Sequence, residues 1–215
     1  MDNPLTNCSK YPDWYFSLNF GTTFSNMIYT GEIEGGSLEG NFDYKTGFNV
    51  GLLFDFYLVK HRLGGDHNSY AIRTGLNYIR KGYQGDNIFQ FTPNPSNDEP
   101  LISYKTHYDY LQIPVNLVYR IGEINYIGFD INGGGYFGLL VNATETSAIQ
   151  DISLNDQISN RFEYGVNGGT RVYYYTRIGL KVGLSYNYQL GFYDPLADNY
   201  LNSTHLLNIS LETNL

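Results

Sequence analysis

The chain has little of what usually builds a protein of its size. One cysteine, Cys8, excludes any internal disulfide, and the poor lipobox ahead of it, Leu5-Thr6-Asn7, leaves it reading as a free thiol in an N-terminal tail. No apolar run approaches the about 18 residues that a membrane helix needs, and mean hydropathy is negative. Charged residues make up only 16% of the 215, and cations are outnumbered 13 to 21 by acids. The net charge of −8 disfavours nucleic acid as a partner. Met1-Asp2-Asn3-Pro4 lacks the basic start and apolar stretch of a signal peptide, so the chain reads as a mature form. His61, His67, His107 and His205 stand singly without metal-ligand spacing, and no D-x-D-x-D-G loop occurs, so neither metal nor cofactor is expected. Gly133-Gly134-Gly135-Tyr136-Phe137-Gly138 joins no strand to a helix and is not a phosphate loop.

Aromatics, by contrast, are abundant at 17%, with 22 tyrosines. Eight stretches alternate apolar with small or polar side chains, the period of a strand with one oily face. Phe48, Val50, Leu52, Phe54, Phe56 and Leu58 fall on one side of the second; Asn49, Gly51, Asp55 and Tyr57 fall on the other. The eight run over about 14–24, 47–59, 69–81, 108–119, 126–141, 161–174, 177–192 and 204–215. Unbroken outer apolar rows with charges on the opposite face predict an inverted protein. The expected fold is all-β: an eight-stranded antiparallel up-and-down transmembrane β-barrel over 14–215, preceded by a periplasmic tail over 1–13.

Connections after the second, fourth and sixth strands are short, around Gly64-Gly65, Gly122-Glu123 and Tyr175-Thr176; the others run to a dozen residues or more and hold most of the free acid. Barrels of this type have short periplasmic turns and long extracellular loops, which puts both termini in the periplasm of a bacterial outer membrane. Two aromatic girdles are expected. Trp14, Tyr15, Tyr57, Tyr70, Tyr119, Tyr126, Tyr173 and Tyr174 would mark the short-turn end. Phe24, Phe48, Tyr78, Tyr108, Phe162, Tyr188 and Phe192 would mark the other. Pro114 inside a strand predicts a local ladder defect.

The inward face carries Asp55, Arg73, Asp130, Glu163, Arg171, Lys181 and Glu212. A hairpin centred on Gly64 sets Asp55 opposite Arg73, while Arg171 and Lys181 need an acid that Glu212 or Asp130 would supply. The expected result is a salt-bridged plug in a barrel too narrow for an open pore. A conducting or ligand-holding lumen is the alternative. Ser203-Thr204-His205 near the long-loop rim invites comparison with barrel enzymes that deacylate lipid, but no acid projects outward nearby, and no catalytic residue is assigned.

Three segments carry a resemblance. Gly75-Leu76-Asn77-Tyr78-Ile79-Arg80-Lys81-Gly82, Tyr110-Leu111-Gln112-Ile113-Pro114-Val115 and Gly133-Gly134-Gly135-Tyr136-Phe137-Gly138-Leu139-Leu140 resemble, in that order, recurring segments of the PorT-like outer-membrane β-barrel family of Bacteroidota, an OmpA/OmpX-like barrel type. Leu215 departs from the terminal aromatic common in such barrels. The resemblance implies a barrel surrounded by outer-membrane lipid and lipopolysaccharide, with a larger envelope complex for secretion, gliding or uptake as a possible partner. It carries over no catalytic residues.

Overall fold

The computed structural model describes residues 14–29, 43–63, 66–86, 103–124, 126–147, 151–155, 158, 160–176, 180–192 and 200–213. The tail expected over 1–13, Cys8 and most of the acidic loop residues lie outside the described residues.

Among the described residues there are nine strands: β1 (Trp14–Tyr29), β2 (Asp43–Leu63), β3 (Asp66–Asp86), β4 (Ser103–Ile124), β5 (Ile127–Ser147), β6 (Asp151–Ser153), β7 (Phe162–Tyr175), β8 (Lys181–Gly191) and β9 (Tyr200–Thr213). Eight form the wall, each antiparallel to its chain neighbour, and β1 closes on β9 from Phe16 opposite Thr213 to Tyr29 opposite Tyr200. The three-residue β6 pairs only with the far end of β5. The protein is a closed eight-stranded barrel. Closure matters because an open sheet would leave rows of unpaired N–H and C=O groups at its edges.

Period two does the rest. Along β4, Ile113, Val115 and Leu117 are exposed, whereas Gln112, Asn116, Val118 and Arg120 are buried. The apolar rows face out on the other wall strands too, with Phe137 at 69% and Phe162 at 68% exposure. From Asp109 to Tyr119, about ten steps of roughly 3.3 Å tilted by about 40° rise roughly 25 Å, the height of a membrane barrel's apolar band. At 21, 21, 22 and 21 residues, β2 to β5 run well past that band, while β8 has 11. The wall is therefore taller on the β2–β5 side. The strands were expected at about ten residues because the apolar alternation stops at the band, although the ladders continue beyond it.

Two ladder interruptions have local causes. Between β3 and β4 the pairing skips Gly75 and Leu76 opposite Ile113 and Pro114 without changing register, because proline has no N–H to give. Between β2 and β3 the ladder skips from Tyr44 to Asn49. Two β1 hydroxyls reach across the gap. Thr23 Oγ1 donates to the Arg80 carbonyl at 2.6 Å, and Ser25 Oγ donates to the Gly82 carbonyl at 2.8 Å while accepting from the Gly82 N–H at 2.7 Å. Gly47 permits the approach, since a Cβ there would sit 2.2 Å from the Arg80 carbonyl oxygen.

The β4–β5 turn is displaced from the expected Gly122-Glu123. Ile124 pairs with Ile127, so the turn falls between them, with Tyr126 at φ 72°. A two-residue hairpin turn needs positive φ to follow the strand twist, and here a tyrosine supplies it.

Candidate functional site

The interior is filled in layers. Nearest the short turns lies a ring to which seven of the eight wall strands each give one charge: Asp55 (β2), Arg73 (β3), Arg120 (β4), Asp130 (β5), Arg171 (β7), Lys181 (β8) and Glu212 (β9). Asp130, with 0% exposure, is its centre. It accepts from Arg73 Nη2 at 3.2 Å, from Arg120 Nε at 2.8 Å and from Arg171 Nη2 at 2.5 Å. Asp55 takes a two-pronged bond from Arg73, Nε to Oδ1 at 2.7 Å and Nη2 to Oδ2 at 2.8 Å. Glu212 pairs with Lys181 Nζ at 2.7 Å and with Arg171 Nη1 at 2.8 Å. β1 contributes a ring face: Lys181 Nζ sits 3.6 Å from the centroid of Tyr15, and Arg120 lies over Tyr57 and Tyr173.

A second, smaller layer lies towards the long loops. Lys81 Nζ donates to Glu163 across the lumen at 2.9 and 3.2 Å, Tyr136 Oη donates to the same carboxylate at 2.9 Å, and Gln112 Nε2 approaches it at 3.5 Å. Above it sits an apolar cap of Met27, Tyr83, Tyr108, Tyr110, Leu140 and Ala143 together with Leu154 and Ile158 from the β5–β7 connection. That connection is anchored by Leu154 N–H to the Ala143 carbonyl at 3.0 Å and by Asn155, whose side-chain oxygen accepts from the Ala143 N–H at 3.0 Å.

Of the seven inward charges read from the sequence, six lie in the large ring and Glu163 lies apart with Lys81. Arg120 and Lys81 were missed. Both continue an inward parity, Gln112-Asn116-Arg120 and Arg73-Asn77-Lys81, Arg120 one residue beyond the expected strand 108–119 and Lys81 at the last position of 69–81. The girdle expectation needs correction at Tyr15, Tyr57, Tyr108 and Tyr173, which face the lumen. Adjacent residues in a strand point opposite ways, so Tyr173 and Tyr174 cannot both meet lipid; Tyr173 is 2% and Tyr174 51% exposed.

The outer surface carries two polar clusters at the long-loop rim. Arg80 donates to Asp109 at 2.7 and 3.0 Å, and Asn142 Nδ2 joins at 3.2 Å. His205 lies among Tyr44, Tyr186 and Tyr188, its Nδ1 2.7 Å from Tyr186 Oη, while Ser203 Oγ donates to Tyr188 Oη at 3.2 Å. Among the described residues no three His, Cys, Asp or Glu side chains gather as metal ligands.

A closed antiparallel barrel with lipid-facing apolar rows and a charge-filled interior defines a β-barrel membrane protein. The chain belongs to the outer membrane protein beta-barrel domain family, whose model matches residues 10–194. Solved structures similar to it include Ail, the attachment invasion locus protein of Yersinia pestis, at 16% identity and TM-score 0.43, covering 94% of this chain and 99% of that one. Neisserial surface protein A is similar at 13% identity and TM-score 0.47, covering 95% and 98%. OprG from Pseudomonas aeruginosa is similar at 11% identity and TM-score 0.44, covering 94% and 96%. No curated protein matches.

Proposed function

We propose that the protein is a non-enzymatic barrel that works from its exterior, as an accessory subunit of a larger envelope complex for secretion, gliding or uptake or as a surface protein acting through its long loops. The observation that carries this reading is the filled lumen: two ion-pair layers and an apolar cap stand in series where a pore would run. In this reading the short turns and both termini face the periplasm, the long loops face outward, and lipid and lipopolysaccharide surround the wall. The PorT-like segments support the accessory role, and the extra height of β2 to β5 supports contacts beyond the membrane. The hydroxyl of Ser203 is directed to Tyr188 and not to His205, which supports a non-enzymatic role.

The test is affinity purification of the tagged protein from its native outer membrane in mild detergent, with partners identified by mass spectrometry. A stoichiometric envelope complex is the expected result for the accessory role. A lone barrel would sink that role and leave the loop-mediated one. One observation favours a second reading, a small channel or ligand-binding barrel: a polar cavity remains between the two ion-pair layers.

A further inference from the structure

Between the charged ring and the Lys81–Glu163 layer the lumen is lined by amides, and a partly open cavity there has room of about 50 Å³. At roughly 10–15 Å³ of this measure for each water, it holds about three to five water-sized occupants. Asn49, Asn116, Asn132, Asn167, Asn208 and Gln189 line it, and each has a buried side-chain atom with no protein partner: the oxygens of Asn116, Asn132, Asn167, Asn208 and Gln189, which need a donor, and the nitrogens of Asn49 and Asn132, which need an acceptor. All of these except Asn167 are more than nine-tenths buried. Buried amides of this kind need a hydrogen-bonding occupant.

The charge balance says which. Among the described residues, five cations are buried inside the barrel (Arg73, Lys81, Arg120, Arg171 and Lys181) against four carboxylates (Asp55, Asp130, Glu163 and Glu212). The buried Asp109 does not count, because it faces outward and pairs with Arg80. One positive charge is therefore in excess, and Asp130 is shared among three guanidiniums. An uncompensated buried charge is costly in a low-dielectric interior. Arg73 and Arg171 form part of the cavity lining, and a terminal amide turned about its last torsion presents its NH₂ to an anion as readily as its oxygen to a cation. We propose that this chamber binds one small monovalent anion of halide size, with its water. The anion neutralises the excess cation and accepts from the amide nitrogens, and its water donates to the amide oxygens. The site rests on the filled lumen of the reading above.

Bromide is the probe. The protein is refolded from urea into detergent with sodium bromide, crystallised, and examined at the bromine absorption edge. The expected result is one anomalous peak in the chamber, within contact distance of Asn132 and Arg171. Melting in sodium bromide should lie roughly 3 °C or more above melting in sodium gluconate at equal ionic strength. Asn132→Asp, which supplies a fixed negative charge, should lose both the peak and the halide dependence; Asn208→Asp serves if that variant does not fold. A chamber without bromide overturns the proposal, as does equal melting in the two salts. Steady current through a bilayer would instead count against the closed-lumen reading, while the bromide peak decides the site.

Discussion

Asp130 answers three guanidiniums, so its charge holds together side chains from β3, β4, β5 and β7. Asp130→Asn keeps the shape and removes the charge, leaving buried cations uncompensated. The expected cost is about 3–5 kcal/mol, read as a lower urea midpoint in detergent or lipid. The Lys81–Glu163 pair separates two effects. Lys81→Met alone leaves a buried carboxylate and should cost about 3 kcal/mol or more, whereas Lys81→Met with Glu163→Gln should recover most of the loss. Equal losses in the single and double variants would contradict the pairing. A third residue-scale test is Ser25→Ala, which strips partners from both the N–H and the carbonyl of Gly82 and should cost about 1–3 kcal/mol by the same measurement. At this scale much of the interior could be read from alternation alone, because a charge on the face opposite an apolar row has to point inward. Arg120 and Lys81 escaped because they sit at the ends of the expected strands, where the alternation has few residues left to define it. Tyr15, Tyr57, Tyr108 and Tyr173 escaped because tyrosine suits both a lipid interface and a cation-bearing lumen, and composition does not distinguish the two.

At the scale of the element, β4 offers a depth gauge. Val115 lies near the middle of its apolar row and Ile121 lies beyond Tyr119, and both are exposed. Val115→Arg should cost about 2–4 kcal/mol when unfolding is followed from lipid vesicles, and Ile121→Arg about 0–1 kcal/mol. Similar costs at the two sites would contradict the placement of the band. The strands themselves were legible because each carries its own period-two pattern. Their outer extensions and β6 were not. Beyond the band the outer face of a strand no longer carries an apolar row, so the alternation fades, and three residues are too few to show a period. Leu154 and Ile158, two apolar residues in a polar connection, were the signal for the cap, but only the fold brings them over Tyr108 and Leu140.

At the scale of the whole molecule, the interior is filled in layers by paired and packed side chains. The charged ring spans the lumen between opposite walls, as Asp55 on β2 and Arg171 on β7 show at 3.4 Å. The Lys81–Glu163 layer spans it again from β3 to β7, and the apolar cap packs beside β3, β4 and β5 towards the long loops. Eight strands leave room for little beyond side chains, so closure follows from strand number once those side chains are large and paired. On the proposed function, the exterior is the surface left for work: a lipid-facing wall, a tall β2–β5 side and the long loops. The most direct test of the central claim is planar-bilayer conductance of the purified, refolded protein, run beside a variant with the ring and the Lys81–Glu163 layer both truncated (Arg120→Ala, Arg171→Ala, Lys81→Ala). The account predicts no steady ionic current from the native protein and a measurable one from the variant. Steady current from the native protein, unchanged in the variant, would contradict it.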